Sequence, residues 1–351
     1  MVPSLVSLLS KKIIKPSILT PPTKKSHKLS FVDQVVHMSI SMAFFYPKIG
    51  NYEPTHVSQL LEKSLSITLS LYYPYAGRLN KDDHNYVDCN DMGVELSHVH
   101  VHCPMSQIFR QPFTHAEHVV FPVDDQTYAH NERQVGYNAG IAISGCLLHK
   151  IGDGCTASNF FYNWGVLSRD INAIPLSHPH FVGDSIYPKS NDPSVVSIIK
   201  FEESTYLRKR FVFPIDKLNA LKAKIVHESK VQNPTRSEVV SSLLYKCAID
   251  ARKVNNSGSF KPSYLFQLAN MCQRLNPPLS HDACGNILSG YFVEINNERD
   301  VNCSKLVREM RKGKLNLHAK KNVIISEVIE SIEKGNTPFH SNEIDNYFVV
   351  V

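Results

Sequence analysis

Residues 140–168 read GIAISGCLLHKIGDGCTASNFFYNWGVLS, and the change of pattern inside this stretch decides how the chain is read. Ile141 to Leu148 is a short, nearly continuous apolar run, the pattern of a strand covered on both faces. His149 follows directly, and Gly152 and Gly154 permit a tight turn. From Cys155 the spacing becomes helical, with Phe160, Phe161, Trp164 and Leu167 on one side. His149 therefore sits at a strand-to-helix turn, where a polar side chain can be held rigidly and still face a cleft. Asp153 lies across the turn, placed to hold the imidazole or the loop itself. The spacing His-x-x-x-Asp is weak on its own, because the chain has 17 histidines and most histidines are surface or satisfied core residues.

The full string HKIGDG, between an apolar strand and an aromatic-rich helix, resembles the HxxxD signature of the plant BAHD acyl-CoA-dependent acyltransferases. Other segments agree in family order. Ile14-Lys15-Pro16-Ser17 and Leu29-Ser30-Phe31-Val32-Asp33-Gln34 resemble the family's N-terminal strand. Tyr72-Tyr73-Pro74-Tyr75-Ala76-Gly77-Arg78-Leu79 resembles its YPLAGRL segment. Val87 to Gly93 and Asn233-Pro234-Thr235-Arg236-Ser237-Glu238 match as well. Within the family the chain resembles the capsaicin-synthase-type and vinorine-synthase-like branches.

The resemblance implies an α/β fold of two chloramphenicol-acetyltransferase-like domains with mixed sheets and flanking helices. The expected division is residues 1–170, a crossover at 171–205, and an incomplete second domain at 206–351. The active-site channel would lie at the domain interface, with coenzyme A and acceptor entering from opposite ends. His149 would be the general base, activating an alcohol or amine acceptor. Asp153 would be structural, turned away from substrate and paired with an arginine of the second domain. Acyl-CoA would be a co-substrate, with no permanently bound cofactor and no metal.

Composition is consistent with this reading. Hydrophobic residues make up 42% and charged residues 20% of 351, the balance of an ordinary soluble globular protein. The net charge of +6 is spread out, without a Lys/Arg block suited to a nucleic-acid groove. It weakly favours an anionic ligand such as coenzyme A. The eight cysteines show no CxxC pair, as expected of free thiols in a reducing compartment. Charges follow the apolar stretch Val2 to Leu9, the wrong order for a secretory signal, and no apolar run approaches membrane-spanning length. A cytoplasmic monomer without nucleic-acid or membrane partners is expected.

Along the chain, residues 1–35 read as extended, and Ile40 to Tyr46 as a strand. Val57, Leu60, Leu61, Leu65 and Leu69 mark a helix opened by Pro54. Residues 110–133 read as surface loop. A strand is expected over Tyr206–Phe213, then a helix carrying Leu218, Leu221 and Ile225. Thr235 to Glu238 fits a capping box, before a helix expected to bury Val239, Leu243, Leu244 and Cys247. Its N-terminus makes Thr235 and Ser237 candidate contacts for an anionic part of acyl-CoA. Tyr264–Met271 and Asn286–Ile295 read as strands around a Pro/Gly loop at 274–286. Helices follow at 304–317 and 322–334, the second closed by Gly335.

Three competing readings come from the residues. His98, His100 and His102 alternate along a strand at about 7 Å spacing, so two could share a metal; a solvated strand face is the plainer account. Cys146 or Cys155 could form an acyl-enzyme with His149, although Cys146 falls on the opposite strand face. No Gly-x-Ser-x-Gly elbow supports a serine hydrolase. Four departures from the family pattern point to a third alternative, a truncated paralogue that binds ligand or protein. The DFGWG motif is absent. Cys272 stands where the arginine partner of Asp153 belongs, with Arg274 expected on the same strand face about 7 Å away. The segment Gln134 to Gly140 is shortened. Leu148 replaces the usual Ser before the histidine.

Overall fold

The computed structural model describes residues 6–36, 38–47, 54–106, 120–121, 131–137, 140–174, 178–188, 211–319 and 347–350. Its elements run β1 (Val6–Ile14), β2 (Ser26–Lys28), α1 (Phe31–Val35), β3 (Ser39–Pro47), α2 (Pro54–Leu71), β4 (Arg78–Leu79), β5 (Tyr86–Asp88), β6 (Val94–Val101), β7 (Asn131–Tyr137) and β8 (Gly140–Leu148). They continue with α3 (Gly154–Arg169), β9 (His180–Phe181), α4 (Gly183–Ile186), α5 (Ile215–Ser229), α6 (Arg236–Asn255), β10 (Ser263–Asn270), β11 (Ala283–Cys284), β12 (Leu288–Ile295), α7 (Cys303–Ala319) and β13 (Tyr347–Val350). The chain divides into two compact units. The first holds Met1–Val196, Glu203–Arg210 and Leu279–Ile287; the second holds Ser197–Glu202, Phe211–Pro278 and Leu288–Val351.

In the first unit a five-stranded sheet has the order β1-β6-β7-β8-β3. β6 and β7 run parallel and every other neighbouring pair is antiparallel. This sheet explains the apolar run in β8, which is an interior strand covered on both faces. Ile143 and Leu147 join a core with Leu61, Leu65 and Leu69 of α2 and Phe160, Phe161 and Trp164 of α3. Ala142, of opposite parity, joins Val99, Val101 and Cys103 in a second core. Full burial of such large apolar side chains contributes about 1.5–3 kcal/mol each. The indole Nε1 of Trp164 donates to Leu61 O (3.2 Å) and Ser64 Oγ (3.1 Å), so its polar end is satisfied inside the core.

Two local expectations change in this unit. Phe31–Val35 is a short helix rather than part of a strand. Ser30 Oγ accepts from Asp33 N (3.1 Å) and the Asp33 carboxylate accepts from Ser30 N (2.7 Å), a reciprocal cap that holds the turn. Residues 131–133, read as loop, begin β7, where the ladders to β6 and β8 pair the backbone of a polar sequence. Most of the rest of that loop, 110–119 and 122–130, lies outside the described residues.

The second unit has a three-stranded sheet, β12-β10-β13, with α6 and α7 supplying Tyr245, Ile249, Leu306 and Met310 to the core behind it. Leu218 and Ile225 of α5 pack with Val239 and Val307. α6 is rotated from the expected face. Ser242, Tyr245 and Ile249 are buried with Val239, whereas Leu244 and Cys247 are exposed. Tyr245 OH lies 2.9 Å from Ser263 Oγ, so the tyrosine enters the core with its hydroxyl paired. β10 ends at Asn270, and Cys272–Arg274 lie in a turn in which Arg274 N donates to Met271 O (2.8 Å). The strand-face relation expected of Cys272 and Arg274 therefore does not hold. Residues 211–213 carry no regular structure; residues 206–210 and the helix expected at 322–334 lie outside the described residues.

Candidate active site

The turn at His149 is built from the end of β8. Leu148 pairs with Ser39, and His149 N then donates to Met38 O (3.2 Å), extending the ladder by one residue. Ile151 N reaches back to Leu148 O (3.0 Å) and Gly152 N to His149 O (3.3 Å), closing the turn. Gly152 leaves no room for a side chain, since an added Cβ would lie 2.5 Å from Thr156 Cγ2.

Asp153 then starts α3. Its Oδ1 accepts from Cys155 N (3.0 Å), Thr156 N (2.9 Å) and Thr156 Oγ1 (3.2 Å), the arrangement of a helix N-cap. The side chain is buried, and burial pushes its carboxyl above the ordinary value against the pull of these donors and of His149. Asp153 Oδ2 is buried without a hydrogen-bond partner. Asp153 thus gives Oδ1 to the helix and not to the imidazole. His149 itself is half-buried, with Nδ1 buried and without a hydrogen-bond partner.

A second segment, 283–287, crosses beneath this turn. β11 runs parallel to β9, and Gly285 O accepts from Asp153 N (3.3 Å) and from Thr156 Oγ1 (3.3 Å). The next residue, Asn286, donates from Nδ2 to His149 O (2.5 Å) and to Asp33 Oδ1 (2.7 Å). Lys150 Nζ donates to Gln34 O (2.8 Å) and Asp33 O (3.4 Å), at the end of α1. Burial pushes the Lys150 ammonium down to about 8, with Asp33 pulling the other way. Burial also raises the Asp33 carboxyl. Asp33, Lys150, Thr156, Gly285 and Asn286 escape the sequence reading as site residues. Only Asp33 had a usable signal, the Ser-x-x-Asp capping spacing.

The remaining candidates fall elsewhere. Cys146 is buried with Sγ 3.4 Å from Ser41 Oγ, and Cys155 is an exposed thiol in the first turn of α3. Thr235 and Ser237 belong to the second unit. Thr235 Oγ1 accepts from Glu238 N (3.1 Å), and the Glu238 carboxylate accepts from Thr235 N (2.7 Å) and pairs with Arg311 (3.2 Å). Ser237 is exposed. The three alternating histidines do not share a solvated face. His98 is buried with Nε2 3.3 Å from Glu62 Oε1, whereas His102 Nε2 meets Ser7 Oγ at 2.7 Å. His100 and His102 stack edge to face at 4.9 Å. Among the described residues no group of three or more His, Cys, Asp or Glu side chains is arranged to hold a metal ion.

His149 is thus held by its main chain at the end of a buried strand, beside a capped helix on a mixed sheet, and comparison with known proteins supplies the class of the chain. The crystal structure of vinorine synthase matches with a TM-score of 0.80 and 26% identity, covering 98% of this chain and 82% of that one. The Transferase family model matches residues 5–351, and the chain belongs to this family, the plant BAHD acyl-CoA-dependent acyltransferases, with its two-domain α/β fold. Acyltransferase Pun1 of Capsicum frutescens is 42% identical, over 98% of this chain and 82% of its own length. Akuammiline synthase 1 of Alstonia scholaris is 39% identical, over 88% and 73%. The chain is accordingly an acyltransferase moving groups other than aminoacyl groups, with an acyl-CoA as co-substrate. Among the described residues no helix is long and apolar enough to cross a membrane.

Proposed function

We propose that this chain transfers an acyl group from acyl-CoA to a hydroxyl or amine of a plant specialised metabolite, with His149 as general base. The observation that carries the reading is the fixed main chain of His149, with its N–H bound to Met38 O and its C=O to Asn286, while the ring remains half-exposed. A neutral hydroxyl is a poor nucleophile, and an imidazole is largely neutral at cellular pH. With Nδ1 buried, Nε2 is the nitrogen left to meet the acceptor.

In this reading Nε2 takes the acceptor proton as the acceptor oxygen or nitrogen bonds to the thioester carbonyl carbon. The tetrahedral intermediate collapses, the carbon–sulfur bond breaks, and the imidazolium returns the proton to the departing thiolate. The products are the ester or amide and free coenzyme A. Asp153 supports the turn, and Thr235 and Ser237 remain the proposed contacts for acyl-CoA, the Thr235 hydroxyl through its place in the helix cap. The proposed division stays residues 1–170, a crossover at 171–205 and 206–351, and the proposed setting is a cytoplasmic monomer.

The test is release of the coenzyme A thiol from acetyl-CoA in the presence of a panel of alcohols and amines. His149→Ala should lose at least about 10² of turnover if proton transfer is its main role. A His149→Ala protein with full turnover would end the general-base assignment.

A further inference from the structure

The segment crossing the His149 turn carries an amide that has no part in the bond-making steps. Asn286 is fully buried, and its Nδ2 bridges His149 O (2.5 Å) and Asp33 Oδ1 (2.7 Å). The His149 carbonyl has no hydrogen to give, so it is the amide nitrogen that has to face it. Asp33 is fixed in turn, since Oδ2 accepts from Ser30 N (2.7 Å) and Oδ1 also accepts from Asn286 N (3.3 Å). The cap of α1 and the main chain of His149 are thereby joined through one side chain. The two peptide groups of His149 are held from different sides, the N–H by Met38 and the C=O by Asn286 and Gly152. Those planes set where its Cα–Cβ bond points, and hence where the imidazole can reach.

We propose that Asn286, oriented by Asp33, is a positioning residue that aims His149 at the acceptor. This rests on the reading of His149 as general base. A displacement of about 1 Å in a reacting group can cost about 10² in rate without weakening substrate binding. The signature is therefore a fall in kcat with KM for acetyl-CoA nearly unchanged.

Asn286→Asp keeps the shape of the side chain and, as a carboxylate, cannot donate to His149 O. The double variant D33N/N286D restores one hydrogen bond and a single negative charge between positions 33 and 286, yet leaves His149 O facing a carboxylate oxygen. Wild type, both single variants, the double variant and His149→Ala are compared for kcat and KM, thermal midpoint, and hydrogen exchange at the Gly152 amide, which shares the His149 carbonyl. The double variant should regain most of the midpoint lost in Asn286→Asp. Its kcat should stay at least about 10-fold low and its Gly152 exchange at least about 10-fold fast. Recovery of kcat and exchange together with stability overturns the proposal, as does an Asn286→Asp protein with wild-type kcat and exchange. Full turnover in His149→Ala would sink the general-base reading and the proposal with it. Its loss beside an unaffected Asn286→Asp would overturn only the positioning role.

Discussion

Replacing Asp153 by alanine and by asparagine separates the acceptor geometry of the side chain from its charge. Alanine removes Oδ1 from the amides of Cys155 and Thr156 and from the Thr156 hydroxyl, three donors in the first turn of α3. Loss of an N-cap costs about 1 kcal/mol and up to about 2. Thr156 is buried, so its orphaned amide gains little from water, while its hydroxyl keeps Gly285 O as an acceptor; the expected loss is about 2 kcal/mol. Asparagine keeps an oxygen at Oδ1, puts a neutral group at the unpartnered Oδ2 position and removes a buried charge; it should lie within about 1 kcal/mol of wild type at pH 7. The pH dependence supplies an independent check. Burial raises the Asp153 carboxyl, so the folded chain holds that proton more tightly than the unfolded chain does. The cost of the charge is therefore complete above the raised value and fades as pH falls toward the ordinary 3.8. Wild type should gain on Asp153→Asn across that window. Urea unfolding of the three proteins at pH 7 and at lower pH measures both effects. If asparagine costs as much as alanine at pH 7, the charge and not the cap holds the turn, and the reasoning fails.

Lys150→Met tests the other buried ionisable group of the site. Because burial lowers Lys150 to about 8 from 10.5, the unfolded chain binds more protons between those values and wild-type stability rises with pH there. The advantage of wild type over Lys150→Met in unfolding free energy should grow from pH 8 to 10.5, and a flat difference would refute the burial argument. Gly285→Ala addresses the crossing segment: with φ at +132° and an added Cβ 3.2 Å from Gly183 Cα, alanine should destabilise by about 1–3 kcal/mol in thermal unfolding. An unchanged midpoint would show that the segment shifts freely.

The strand, the histidine and the helix after it were legible because each is written in neighbouring residues. Cover on both faces made Ile141–Leu148 almost continuously apolar, Gly152 marked the turn, and Asp153 stood where an N-cap acts on the next amides. The capping box at Thr235–Glu238 was readable for the same reason. The rotation of α6 was not, because helical period gives a stripe but the neighbours choose its edge. Tyr245 reached Ser263 and the core, which left Leu244 and Cys247 outside. His98 was likewise buried by α2, an element 27 or more residues earlier, and not by anything in the alternation of its own strand.

By itself, then, the sequence determined the local elements, the family and the identity of the strand-end histidine. Only the tertiary structure decided what holds that histidine. Asn286 lies 253 positions from Asp33 and 137 from His149, and no periodicity links them. Local patterns record which face a segment buries; they do not record which buried donors and acceptors will meet. That pairing is settled when the sheet closes and every polar group carried into the core has to find a partner from whatever segment the topology brings beside it.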